Sequence, residues 1–268
     1  MNQKVLERVE DHAAYVALNI GREIPIFTAL QGSQNYQMDD EFSDVDTKTL
    51  VVPSFESLVF NKKRTSTTLE VAPTIEHADV KDWREMVNCW KKQNINFIEI
   101  LFTPYVHYNL NYEWAYTALW VMREDIAHFN PYKAACAMHG NLVEKYHAFD
   151  HPYPSAMEKI KKFGYDPKQL SHMLRFKDFL IRYFKDESYE QCLIPSNREE
   201  LIAIKRGSIP LEDARKIREE TLEWGRKFMD NMKDKLKDNP NPKTERELDM
   251  ITYEVFEQAI RNRDYGDF

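Results

Sequence analysis

Glycine is scarce in this sequence, with 7 among 268 residues, and helix formers are abundant, so a mostly helical protein is expected. The 3 cysteines, Cys89, Cys136 and Cys192, are odd in number and far apart. That speaks against a disulfide framework or a zinc site and for a reducing cytoplasm. No apolar run reaches the roughly eighteen residues that a membrane helix needs, so no membrane partner is expected. The start, Met-Asn-Gln-Lys-Val-Leu-Glu-Arg-Val-Glu-Asp, is charged throughout and does not read as a signal peptide. Positive charge is not in excess either. The formal net charge is −7, which argues against a broadly basic nucleic-acid surface, although a local basic patch can hide in such a sum.

A hydrophobic content of 43% with 13% aromatics suits a chain that buries a real core, as one large or two modest domains. Apolar residues Val5, Val9, Ala13, Val16 and Leu18 recur at near-helical spacing and predict a helix over 4–20, with Gly21 as its cap. Strands are expected over 24–31 and 44–52, the second closed by Pro53. A short helix should follow Ser54, then a basic flexible or edge-strand segment over 61–74, a third strand over 74–80, and a helix over 83–92 capped by Asp82. From about 112 the pattern is helical: 112–124, 131–148, 155–163, 167–185, 197–205, 210–236 and 243–264. The composition shift near 105–112 places a boundary there. The expected class is α+β, with a small mixed sheet over 1–108 and an all-helical domain over 109–268.

The stretch on which the chain turns is 26–53. An apolar run ends at Gly32-Ser33, a polar connection follows, and Asp44-Val45-Asp46 opens a second apolar run. In a strand, residues two apart share a face, so Asp44 and Asp46 project together with Val45 turned to the core. Paired carboxylates repel unless a cation lies between them, and hard ions such as Mg2+ want oxygen ligands. Gly-Ser offers backbone N–H groups and a hydroxyl with little bulk, which suits a phosphate.

Gly32-Ser33 followed by Asp44-x-Asp46 resembles the signature of the DNA polymerase beta nucleotidyltransferase superfamily. The longer Leu-Gln-Gly-Ser-Gln-Asn-Tyr…Ser-Asp-Val-Asp-Thr-Lys, with Lys-Gln-Asn-Ile-Asn-Phe-Ile-Glu-Ile-Leu-Phe-Thr downstream, is similar to predicted nucleotidyltransferases of phages and bacteria related to those associated with RNA repair. The resemblance is sharpest over 26–105 and weaker over 160–210. It implies that Asp44 and Asp46 hold Mg2+ or Mn2+ and that Gly32 and Ser33 grip the triphosphate of an NTP such as ATP. It also implies a third carboxylate on a neighbouring strand. Glu76 and Asp79 are the candidates. They lie three apart and face opposite ways in a regular strand, and Asp79 opens the more family-like piece, so Asp79 is the expected third catalytic and metal-binding acid, with Glu76 as the alternative.

Around these, His77 shares a face with Asp79, and Lys48 lies two past Asp46, near a phosphate or simply on the surface. Asn35 and Tyr36 shape the Gly-Ser turn or touch ligand, and Glu99 is a buried structural partner or a catalytic acid. In the helical half His172 and Arg175 share a helix face, and Lys205-Arg206 precede Gly207; both pieces resemble the family's C-terminal region and are candidate phosphate ligands. Lys205 and Arg206 serve equally as C-terminal partners of the helix dipole. His139, His147, His151 and Asp150 read as surface residues rather than a metal site. The activity implied is transfer of a nucleoside monophosphate to an acceptor hydroxyl with release of pyrophosphate. Lys62, Lys63, Arg64 and Lys81 would favour an RNA end as acceptor. Modification of a protein or small molecule, of the AMPylation type, and a non-enzymatic nucleotide-binding protein are the alternatives.

Overall fold

The first helix, α1 (Gln3–Asn19), starts at Asn2, whose side chain accepts the Lys4 N–H and satisfies a donor that the helix leaves unpaired. In the computed structural model, which describes residues 2–40 and 43–261, its buried face is Val9, His12, Ala13 and Val16. The expected stripe through Leu18 is not observed, and that residue is 84% exposed. Two residues past Val16 the helix has turned by about 200°, so position 18 faces away. A histidine instead completes the buried stripe.

The sheet contains β1 (Ile24–Gln31), β2 (Asp46–Val52), β3 (Ser66–Val71), β4 (Glu76–Asp82) and β5 (Val106–Tyr108), in the order β3-β4-β2-β1-β5. β2 and β4 run parallel and the other neighbours antiparallel, so the sheet is mixed and the protein is α+β. The expected third strand over 74–80 is β4, starting two residues later. The basic segment before it supplies the edge strand β3, whose residues are mostly exposed. Between β2 and β3 lies the short α2 (Phe55–Val59), capped by Ser54 as the sequence predicts. Helix α1 covers one face: Val16 clusters with Val51, Val71, Ala78 and Val80, and Val9 with Leu30 and Val45. Strand alternation therefore turns Asp46, Lys48, His77 and Asp79 to the other face. There α3 (Trp83–Lys91), started by the Asp82 cap, and α4 (Ile95–Ile98) follow, with Phe97 beneath the Lys48 ammonium at 4.3 Å.

The remaining helices are α5 (Glu113–Val121), α6 (Arg123–Ala127), α7 (Pro131–Ala148), α8 (Met157–Phe163), α9 (Pro167–Tyr183), α10 (Tyr189–Leu193), α11 (Arg198–Lys205), α12 (Leu211–Lys233) and α13 (Pro242–Arg261). The expected last turn of α13, over 262–264, lies outside the described residues. Among the described residues no helix is long and apolar enough to cross a membrane.

Two units result, and neither ends near 108. The first comprises 1–35, 39–129 and 240–268; the second comprises Tyr36–Met38 and Asn130–Asn239. The reason for the difference is the return of α13. The Trp83 indole N–H donates to Thr252 Oγ1 at 2.9 Å, and the Trp114 indole donates to Gln258 Oε1 at 2.7 Å. Lys91 meets Asp249 at 3.0 Å. The composition shift near 108 marks where helices begin, whereas α5 and α6 pack in the same unit as the sheet. The second unit closes on its own core, in which Phe149 stacks on Tyr165 at 4.7 Å beside Leu170, Leu201, Ile204 and Ala214. Tyr36 and Met38 are buried in that core.

Candidate active site

The Gly-Ser turn and the acidic pair meet because β1 and β2 are antiparallel neighbours, with Gln31 opposite Asp46. The last residue of β1 thus lies beside the first of β2, and Gly32-Ser33 and Asp44-Val45-Asp46 gather at one end of two adjacent strands. Gly32 has φ +101°, which a side chain resists, and among the described residues nothing lies within 4 Å of where a Cβ would stand. Its N–H is already used, donating to Glu99 Oε1 at 3.0 Å. Glu99 is buried, so it anchors the turn from within. A 3-10 turn over Ser33–Tyr36 follows, in which the Asn35 N–H donates to Gly32 O at 3.0 Å and the Asn35 amide to Leu30 O at 2.9 Å. Gln34 reaches across to donate to Asp44 O at 2.9 Å, tying turn to acidic loop. Asn35 and Glu99 thus have structural jobs that sequence patterning left open.

β2 begins at Asp46 rather than at the expected 44, so Asp44 and Val45 precede the strand; Asp44 is exposed, Val45 buried and Asp46 partly exposed. Asp46 Oδ1 accepts the His77 N–H at 2.9 Å and lies 3.6 Å from His77 Nδ1. No other partner holds either aspartate side chain among the described residues. An exposed pair of oxygen donors suits a hard divalent ion by the chemistry of its donor set. Among the described residues, though, no three His, Cys, Asp or Glu side chains gather closely enough to hold a metal. Asp79 is on the face of Asp46 but its carboxylate is engaged: Lys48 Nζ donates at 2.8 Å and Thr68 Oγ1 at 2.5 Å. Burial alone would push the Asp79 carboxyl up; the charge and hydrogen bond of Lys48, with Thr68 and Lys81, reverse this and hold it below its ordinary range. Lys48, 3% exposed, is committed to this pair and to the Phe97 ring rather than to an open phosphate position.

Glu76 faces the other way, as its three-residue offset from Asp79 predicts. It meets α1. Arg8 Nε donates to its Oε2 at 3.1 Å, with Arg8 Nη2 closer still, and His12 Nε2 lies at 3.2 Å. Its other oxygen accepts the Val45 N–H at 3.2 Å. Burial would raise the Glu76 carboxyl, and the hydrogen bonds from Arg8, Val45 and His12 outweigh it, leaving a net downward shift. On the far side, His12 Nδ1 lies 2.9 Å from Thr47 Oγ1. The only sequence signal for this network is the helical spacing of Arg8 and His12 on an otherwise apolar stripe.

The second unit holds the other candidates. The Arg175 guanidinium, 2% exposed, lies 3.9 Å over the Tyr36 ring and 4.7 Å from that of Phe176, and among the described residues its Nε and Nη1 have no hydrogen-bond partner. Lys205 closes α11, as its capping reading expects, and its Nζ donates to Met38 O at 3.1 Å. Burial pushes the His172 imidazole well down, and the positive charges of Arg175, Lys168, Lys145 and Lys205 add to this. His172 is therefore neutral in the fold and protonates more readily once unfolded. The unfolded chain takes up the extra proton as pH falls through about 6.5, so stability is full above that value and is lost below it. His12, also lowered by burial, works in the same direction. We expect thermal denaturation to shift downward between pH 7 and 5, and less steeply in His172→Gln. An identical pH slope in that variant would refute the assignment.

Part of the basic stretch is neutralised. Lys62 pairs with Glu56 at 2.5 Å and Arg64 with Glu85 at 2.7 Å, whereas Lys81, in β4, donates to the uncharged Ser66 hydroxyl at 2.5 Å.

No family model matches the chain, and no curated protein matches it. Among solved structures, it is similar to a nucleotidyltransferase-like protein from Exiguobacterium sibiricum 255-15, at 13% identity over 98% of this chain and 96% of that one, with a TM-score of 0.31.

Proposed function

We propose that this protein transfers a nucleoside monophosphate from an NTP to an acceptor hydroxyl. The observation that carries the reading is the pairing of Gln31 with Asp46, which brings the positive-φ Gly-Ser turn beside Asp46, whose carboxylate makes one hydrogen bond among the described residues, with Asp44 two residues before it. In this reaction the acceptor oxygen forms a bond to the α-phosphorus, the bond from that phosphorus to the bridging oxygen breaks, pyrophosphate leaves, and the acceptor proton passes to a base or to water. Mg2+ or Mn2+, bound by Asp44 and Asp46, would neutralise charge on the phosphates and lower the pKa of the attacking hydroxyl. Ser33 and the space beside Gly32 receive the phosphates. Asp79 completes the acidic face, and with its charge offset by Lys48 its contribution is smaller than that of Asp44 or Asp46. In the second unit, Arg175 is proposed as an anion ligand because its guanidinium is buried with donors unpartnered among the described residues, with Lys205 in the same role and His172 as a neutral hydrogen-bond donor.

An RNA end is the acceptor proposed first, on the resemblance to RNA-repair relatives. Neutralisation of Lys62 and Arg64 by Glu56 and Glu85 favours the second reading, a protein or small-molecule acceptor that needs no basic track. The test is incubation with each α-labelled NTP and Mg2+ or Mn2+, with pooled RNA and separately with cellular protein. Label on RNA is expected. Label on protein alone selects the second reading, and NTP binding without transfer to anything would sink both.

A further inference from the structure

Both neighbours of Asp46 in the chain are held from behind the sheet. Val45 N–H donates to Glu76 Oε1 at 3.2 Å, and the Thr47 hydroxyl meets His12 Nδ1 at 2.9 Å. These contacts converge, because His12 Nε2 and Arg8 Nε both reach Glu76 Oε2, at 3.2 and 3.1 Å. Glu76 also draws in the Thr74 hydroxyl at 3.3 Å. His12 is fully buried and the Glu76 side chain is only 14% exposed, so this end of the network is largely shielded, while the Arg8 side chain is 32% exposed. Burying a carboxylate is costly unless it is paired, and Arg8 supplies the charge. A network of this kind, spanning α1, β2 and β4, is more than α1 needs to dock, since Val9 and Val16 already pack on the sheet.

What the network fixes is the backbone that carries the acidic pair. The residue between Asp44 and Asp46 is anchored by its N–H, and the residue after Asp46 by its hydroxyl, while Asp46 itself is held in front by the His77 N–H. We propose that Glu76, held by Arg8 and His12, is a positioning residue that tethers the Asp44-Val45-Asp46 backbone so that both carboxylates are presented to a divalent cation. The inference rests on the reading of Asp46 as a metal ligand. It gives Glu76 a role other than that of a third carboxylate: it touches neither metal nor substrate and acts through the Val45 amide. Outer partners of this type commonly change metal affinity by about 10–100-fold when removed.

The test measures Mn2+ binding to the full chain by electron paramagnetic resonance, together with hydrogen exchange at the Val45 amide, in wild type, Asp46→Asn, Glu76→Ala, Glu76→Gln and Thr47→Val. Asp46→Asn should lose Mn2+ binding. Glu76→Ala should bind about tenfold more weakly and exchange the Val45 amide faster. Glu76→Gln keeps an acceptor for the Val45 N–H and should recover part of both. Wild-type Mn2+ affinity in folded Glu76→Ala, with binding lost in Asp46→Asn, overturns the tether and leaves the metal reading standing. Wild-type affinity in Asp46→Asn means that the metal reading has failed, and unchanged Val45 exchange in Glu76→Ala then overturns the tether independently. If Glu76→Ala does not fold, Glu76→Gln and Thr47→Val decide: wild-type affinity and exchange in both overturn the proposal.

Discussion

Asp46→Asn should abolish nucleotidyl transfer, with a loss on the order of a thousandfold or more, while the protein melts within about 3 °C of wild type. The two halves of that expectation have separate grounds. Asparagine has nearly the shape of aspartate and keeps an Oδ1 that can accept the His77 N–H, the one hydrogen bond the carboxylate makes among the described residues. The side chain is 39% exposed, so no buried partner is left behind. What disappears is the negative charge, and with it the second oxygen as a ligand for a hard cation. The measurement is label transfer from an α-labelled NTP beside a melting curve. Transfer at wild-type rate in a variant of wild-type stability would remove Asp46 from the chemistry and take the proposed function with it.

The acidic pair was expected from strand periodicity, which is a local property, and β2 itself begins only at Asp46. Alternation around Val45 assigns Asp44 and Asp46 to one side without knowledge of what lies on the other. The same rule separated Glu76 from Asp79 correctly, since a three-residue offset must reverse the face. What the sequence could not contain is partnership. Lys48 and Asp79 meet because β2 and β4 are parallel neighbours in register, across an intervening strand and helix. Glu99 reaches Gly32 across 67 positions, and His12 reaches Thr47 across 35. His12 sits on an apolar helical stripe, where periodicity reads it as one more core residue. The grouping of α13 with the sheet-bearing unit rests on equally distant partners, since Trp83 and Trp114 contact side chains more than a hundred positions away.

Asp79→Ala is expected to cost about 3 kcal/mol of stability, a fall in melting temperature of roughly 6–12 °C, because it strands a buried ammonium. The Lys48 side chain is 4% exposed and the Asp79 side chain 28%, with Nζ and Oδ2 2.8 Å apart. Removing the acid leaves Lys48 charged against Phe97, with no carboxylate to offset its desolvation. Lys48→Met alone removes the costly charge and leaves Asp79 with Thr68 and partial access to water, so it should destabilise less. In the double variant, Lys48→Met with Asp79→Ala, the stranded charge is gone, methionine fills the space along Phe97, and most of the lost stability should return. The cycle separates a structural pair from a catalytic one when transfer is measured alongside. A double variant that melts near wild type and transfers within about tenfold of it would confine Asp79 to the modest role proposed here. A double variant that melts near wild type but loses transfer as deeply as Asp46→Asn would make Asp79 an equal member of the acidic set. The Lys48 pairing would then have to open when metal and nucleotide bind.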